Sequence, residues 1–140
     1  MSALLQNHYD EVSTQSAISG ADSRDLILMM YDAAIESINK ARYHISRNEH
    51  RAFSDANSRA MKIVLGLKGT LNTVDGGSVA QYLSDFYSYT LRNLVRAGSS
   101  QSDLVLSEAA DLLGQVREAW ATINPVGEKH LRRRLINVIA

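Results

Sequence analysis

The sequence predicts an all-α fold, an antiparallel up-down-up-down four-helix bundle, on three observations. Pro125 is the single proline in 140 residues, so long helices are not interrupted by the missing N–H of proline. Apolar residues recur at alternating spacings of three and four in four long segments, which is typical of helices with one buried side. Short polar or glycine-containing stretches separate these segments, and short turns force sequential helices to run antiparallel.

The first predicted helix begins after Asp22, whose carboxylate can accept a hydrogen bond from an N–H of the first turn. It extends to about Asn48. On its outer side, Glu36 and Lys40 have the i,i+4 spacing of a favourable ion pair. The residues predicted to face the bundle interior are Ile27, Tyr31, Ala34, Ile38, Ala41 and Ile45.

The second predicted helix covers about residues 51–73, with Phe53, Ala56, Ala60, Ile63, Leu67 and Leu71 inward. Gly76 and Gly77 follow it and are the strongest turn signal in the chain, because glycine accepts positive φ without steric cost. We expect Ser78 to cap a third helix over residues 79–97. Its inward residues are Leu83, Phe86, Leu94 and Ala97.

The fourth predicted helix follows Gly98-Ser99-Ser100, covers about residues 102–123 and ends before Asn124-Pro125. Its inward residues are Leu106, Ala109, Leu113, Val116, Trp120 and Ile123. The chain is thus expected to form a single domain over residues 1–140. It divides into an N-terminal cap segment (1–21), the bundle (22–123) and a tail (124–140). An amphipathic stretch of the tail, 128–139, is a candidate fifth helix.

Composition argues against several classes of function. There is no cysteine, and fifteen basic residues balance fifteen acidic ones, so no global positive field favours nucleic acid. The charge is polarised locally, with −3 over residues 1–25 and +3 over residues 126–140. The first ten residues lack a signal-peptide pattern, and no apolar run approaches the roughly 20 residues of a membrane span. We therefore expect a soluble, cytoplasmic protein with no membrane insertion.

No catalytic or metal-binding constellation is evident. A di-iron bundle needs Glu-x-x-His pairs, and none of His8, His44, His50 and His130 has a glutamate three residues before it. There is no P-loop or nucleophile elbow either. We expect the three arginines at 132–134 (RRR) either to be exposed to solvent or to pair with the acidic N-terminal segment. The sequence predicts no enzyme, no metal and no cofactor.

The more informative feature is a surplus of apolar residues beyond the three in seven that a bundle helix needs. They belong mostly to the first three helices. Three explanations fit this surplus: a wide core, a homodimer face, or a groove for the amphipathic helix of a partner. The surplus residues are Leu28, Met29, Ile35, Met61, Val64, Leu65, Tyr82, Tyr87 and Tyr89.

The order of short motifs resembles the FliS family of flagellar secretion chaperones between residues 9 and 123. The motifs are YDEV at 9–12, LILMMYDAA at 26–34, GG at 76–77, LSDFYSY at 83–89 and LLGQVREAW at 112–120. The chain departs from the family pattern at four positions. Ala33 replaces a glycine, Ser23 a helix-starting proline, Ser78 a glutamate and Thr90 a methionine.

The resemblance implies a cytoplasmic export chaperone that binds the disordered C-terminal segment of flagellin, prevents premature polymerisation and delivers the subunit to the export gate. It also places the N-terminal segment near the binding surface, so we expect Tyr9 and Val12 to cover the groove in the free protein. The competing hypothesis is a helical adaptor or regulator that forms a weak homodimer through the same groove. The residues predicted to bind the partner are Tyr9, Val12, Met61, Val64, Leu65, Tyr82, Phe86 and Tyr89.

Overall fold

The computed structural model describes residues 23–71 and 77–122. They form four helices: α1 (Ser23–Ser46), α2 (His50–Gly69), α3 (Gly77–Ser100) and α4 (Asp103–Ala121). Both α1 and α3 pack against α2 and α4, so the helices form a closed ring around one core. The all-α four-helix bundle predicted from the sequence is confirmed. The Asp22 cap, Ile123 and the tail lie outside the described residues.

Contacts between helices establish the directions in which they run. The end of α1 meets the start of α4, where Arg42 Nε lies 2.8 Å from Asp103 Oδ1. The start of α1 meets the end of α4, where Arg117 Nη2 donates to Asp32 Oδ2 at 3.1 Å. Helix α1 is therefore antiparallel to α4. The order of contacts between α2 and α3 is likewise reversed, from His50 with Gln101 to Lys68 with Ser88.

The core is built from the predicted inward residues. Their spacing repeats with the 3.6-residue period of the helix, so each helix turns one apolar stripe to the centre. Trp120, Ile27, Ile45, Ala56 and Leu71 are only partly buried but pack against this core. The predicted inward residues that are buried are Tyr31, Ala34, Ile38, Ala41, Phe53, Ala60, Ile63, Leu67, Leu83, Phe86, Leu94, Ala97, Leu106, Ala109, Leu113 and Val116.

Helix α3 is longer than predicted at both ends. It begins at Gly77, which has φ +63°, so Ser78 lies inside the first turn and does not precede the helix as its cap. At the other end it passes through Gly98 to Ser100. Gly98 therefore lies inside the helix and does not end it, and a Cβ at this position would make an ordinary contact, 3.4 Å, with Asn57 Nδ2 of α2.

The remaining helix ends follow local hydrogen bonding. Helix α2 stops at Gly69, four residues before the predicted end, and the Thr70 hydroxyl donates to the Leu67 carbonyl. Ser102 caps α4 by accepting a bond from the Val105 N–H at 3.3 Å.

The predicted ion pair between Glu36 and Lys40 forms on the outer side of α1, with its charged atoms 2.9 Å apart. In the part of the chain that the structure describes, no helix combines the length and apolar character needed to cross a bilayer.

Candidate partner-binding faces

A pair of buried tyrosines anchors α3 to the interior of the bundle. Tyr31 of α1 and Tyr87 of α3 meet at the centre, with their hydroxyl oxygens 2.6 Å apart. Burial raises the pKa of both hydroxyls well above the ordinary value of 10.0, so both stay neutral. Tyr87 was counted among the surplus apolar residues, and for this residue the wide-core explanation holds, since the side chain is fully buried.

Trp120 completes this cluster from α4. Its indole N–H is buried near the two hydroxyls and makes no hydrogen bond of normal geometry within the described residues. Three aromatic residues from three different helices thus meet at one polar point in the core. All three belong to motifs that carry the family resemblance, so those motifs include residues that build the interior.

An apolar stripe lies on the outer side of the seam between α2 and α3. Lys68 Nζ donates to Ser88 Oγ at 2.9 Å, which establishes that these two positions face each other. Met61 and Leu65 precede Lys68 by seven and three residues and so lie on the same side of α2. We call Met61, Leu65, Leu91 and Val95 the aliphatic face.

The α3 half of the aliphatic face was missed by the sequence prediction. Leu91 and Val95 follow Ser88 by three and seven residues, so they lie on the flank of α3 that faces α2. Val95 is 57% exposed and Leu65 is 45% exposed, while Leu91 and Met61 are partly buried. The i,i+4 spacing of Leu91 and Val95 was the available signal, but only the Lys68–Ser88 contact shows which helix they face.

Two of the predicted binding residues are not accessible. Val64 is 0% exposed and Phe86 is 1% exposed, and both belong to the core cluster. Val64 was counted among the surplus residues, and Phe86 was predicted both to face inward and to bind the partner; the burial of Phe86 agrees with the inward prediction. The free bundle therefore does not present these two side chains to a partner. Tyr9 and Val12 lie outside the described residues.

Tyr82 and Tyr89 are separated from the aliphatic face. They lie roughly 100–120° around α3 from Ser88. The helices adjacent to α3 in the ring of described helices are α2 and α4, and this flank is turned away from α2, so it faces α4. Leu112 of α4 lies about 140° around that helix from Arg117, which pairs with α1, so Leu112 faces α3. We call Tyr82, Tyr89 and Leu112 the tyrosine face; the predicted six-residue groove is thus divided between two faces.

The helices at opposite corners of the ring carry opposite charge. In α2, four basic residues accompany the single acidic residue Asp55: Arg51, Arg59, Lys62 and Lys68. In α4, four acidic residues accompany the single basic residue Arg117: Asp103, Glu108, Asp111 and Glu118. The aliphatic face therefore borders a basic helix, whereas the tyrosine face borders an acidic one.

Within the described residues, no group of three or more potential ligand side chains is placed to hold a metal ion. The two faces offer apolar contact area with charged borders. Such surfaces bind other polypeptides, with the apolar residues supplying most of the binding energy and the charges favouring one orientation.

Comparison with known proteins identifies the relatives of this chain. The family model described as flagellar protein FliS matches residues 5–127. The flagellar secretion chaperone FliS of Salmonella typhimurium is 34% identical over 118 residues, covering 84% of this chain and 87% of the relative. FliSB of Pseudomonas aeruginosa, also a flagellar secretion chaperone, is 29% identical over 124 residues, covering 89% of this chain and 97% of the relative. These names designate chaperones and point away from catalysis. The chain belongs to the FliS family of flagellar secretion chaperones.

Proposed function

We propose that this protein is a cytoplasmic export chaperone that binds the C-terminal segment of flagellin on its aliphatic face. By holding that segment it prevents premature filament polymerisation and aids delivery to the flagellar export gate. The observation that carries the proposal is the exposed aliphatic stripe on a bundle of this family. Leu65 is 45% and Val95 57% exposed, so packing among the described helices does not require these side chains to be apolar.

The shape of the aliphatic face suits an amphipathic helix. Met61 and Leu65 on one side and Leu91 and Val95 on the other form two short parallel rows. A helix laid between such rows contacts both through its own i, i+3, i+4 and i+7 positions. Basic residues of α2 border the face, so a partner segment with acidic residues along one edge is favoured.

The energetics favour a partner that folds on binding. A disordered segment can wrap a large surface, on the order of 1,000–3,000 Å², while the entropy of ordering it reduces the net affinity. Moderate affinity is an advantage for an export chaperone, because the subunit has to be released at the export gate.

The N-terminal segment is the proposed cover of the aliphatic face in the free protein. Residues 1–22 carry Asp10, Glu11 and Asp22 and no basic residue, which complements the positive charge of α2. Tyr9 and Val12 would contribute the apolar contacts and leave when flagellin binds. Deletion of residues 1–12 should therefore change flagellin affinity, and an unchanged affinity would contradict this role.

The test is a titration of the full chain with a peptide of the last ~40 residues of the cognate flagellin, the length expected for coupled folding. Calorimetry should give a one-to-one complex, and circular dichroism should show more helix than the sum of the two components. Absence of binding at micromolar concentration would overturn the proposal. Self-association through the aliphatic face, abolished by a charge at Val95 and unaffected by the peptide, would favour the dimeric adaptor instead.

A further inference from the structure

The seam between α3 and α4 differs from the other three seams of the ring. Arginine–aspartate pairs bridge α1 and α4, an arginine–serine bond joins α1 and α2, and a lysine–serine bond joins α2 and α3. No side-chain hydrogen bond or ion pair joins residues 77–100 to residues 103–121. The outer surface of this seam is the tyrosine face, on which Tyr89 is 45% exposed.

The carboxylates of α4, on the acidic side of the tyrosine face, are not all paired with a basic residue. Asp103 is engaged by Arg42, and Glu118 lies 3.8 Å from Arg117. Glu108 is exposed and forms no direct ion pair with any residue that the structure describes, whereas Asp111 lies close enough to Arg42 of α1 to act on its charge. An apolar surface beside an unpaired carboxylate fits an occupant that is both apolar and basic.

The chain itself contains such a segment. Residues 128–140 lie beyond the part that matches the family, which ends at residue 127. Four basic residues in this segment accompany the single acidic residue Glu128: Lys129, Arg132, Arg133 and Arg134. Leu131, Leu135 and Ile139 recur every four residues, which places them on one side of a helix.

We propose that residues 128–139 form a helix that lies along the tyrosine face, with Leu131 and Leu135 against Tyr82 and Tyr89 and the arginines toward the carboxylates of α4. Residue 128 follows the end of α4 at Ala121 by seven residues, so the chain tethers the segment to this end of the seam. Twelve helical residues extend about 18 Å, whereas Tyr82 and Tyr89 are about 10 Å apart along α3. The segment is therefore long enough to cover both rings.

The tyrosine face is the less basic of the two apolar faces, since Asp85 of α3 and Glu108 of α4 offset the exposed Arg92 and Arg96 of α3. The seam between α1 and α4 presents Arg42 and Arg117, whose carboxylate partners are already paired. The aliphatic face lies beside α2, whose net positive charge repels a segment of net positive charge. Occupation of the tyrosine face leaves the aliphatic face open, so the segment and a partner can be bound at the same time.

Cysteine cross-linking tests the placement, since the natural chain contains no cysteine. The test variant carries Gln115→Cys on the exposed α4 border of the tyrosine face and Leu135→Cys in the tail. The matched control carries Ser58→Cys, on exposed α2 beside the aliphatic face, and the same Leu135→Cys. Both are treated, in dilute solution, with a short bifunctional thiol reagent, and the intramolecular product is followed by mass spectrometry.

We expect the test variant to cross-link at least tenfold faster than the control. Adding the substitutions R132E, R133E and R134E to the test variant should slow the reaction at least threefold, because they reverse the attraction to α4. Equal rates in test and control, a faster control, or a product that is only intermolecular would each overturn the proposal. Flagellin is absent from the reaction, so failure here is distinct from failure of the proposed chaperone function.

Discussion

The two outer flanks of α3 are both apolar, yet they differ in chemistry. The flank toward α2 continues into Met61 and Leu65 and lies beside a basic helix. The flank toward α4 carries Tyr82 and Tyr89 and lies beside an acidic helix. One flank is aliphatic and joined to its neighbour by the Lys68–Ser88 bond. The other flank is aromatic, and no side-chain hydrogen bond or ion pair joins the outer surfaces of residues 77–100 and 103–121.

The comparison shows that a single helix can contribute to two surfaces of different chemistry, one on each flank. The interior residues between the flanks, Leu83, Tyr87 and Leu94, are buried and hold α3 in place. Because the interior is rigid, a change on one flank should leave the other intact. The experiments below test that separation, from the largest expected effect to the smallest.

Val95→Asp should weaken flagellin binding most strongly. In the complex the new carboxylate would be buried against apolar side chains, so we expect at least a hundredfold loss of affinity, about 2.7 kcal/mol. Calorimetric titration with the flagellin peptide measures the loss. The matched control is Tyr89→Asp on the other flank, for which we expect less than a threefold change. Equal losses would show that the two flanks form one binding surface.

Tyr87→Phe should destabilise the interior that separates the flanks. The hydroxyl of Tyr31 would remain buried without its partner, at an expected cost of about 1–3 kcal/mol in the free energy of unfolding. Urea denaturation measures this cost. The double variant Tyr31→Phe with Tyr87→Phe should be no less stable than either single variant, because no unpaired hydroxyl remains. Additive losses would contradict a hydroxyl pair that acts as a unit.

The same pair predicts a loss of stability in alkali. Burial raises the pKa of Tyr31 and Tyr87 above the value of 10.0 expected in the unfolded chain, so the folded chain holds these protons more tightly. This contribution is complete below about pH 10 and is lost as the pH rises above it, by up to about 1.4 kcal/mol per pH unit for each group. Urea midpoints across this range should fall more steeply for the natural chain than for the double phenylalanine variant. If the urea midpoints of the two proteins fell in parallel as the pH rises, the raised pKa values of Tyr31 and Tyr87 would be contradicted.

Asp32→Asn should have the smallest effect. It removes the carboxylate that Arg117 binds across the seam between α1 and α4, but the pair is exposed. Surface pairs contribute under about 1 kcal/mol, and salt screens them. Thermal unfolding at low and high salt should show a small difference that disappears at high salt. A large loss that persisted in salt would mean that this seam needs its ion pairs, unlike the seam between α3 and α4.

The sequence by itself predicted the bundle and its interior. The helical period is a local property, so spacing alone identified buried residues such as Ile38, Leu67 and Leu113. Helix ends were predicted less well, because they depend on contacts. Gly98 was expected to stop α3, yet it lies inside the helix where Asn57 of α2 approaches.

Only the tertiary structure decided which neighbour each surface residue faces. Spacing shows that Tyr82, Phe86 and Tyr89 share one side of α3, but not whether that side meets α2, α4 or the core. That outcome depends on the rotation of α3 about its own axis and on the order of helices around the ring, and the packing of all four helices sets both. For this reason the sequence found an apolar surplus, and the structure divided it into a buried part and two separate faces.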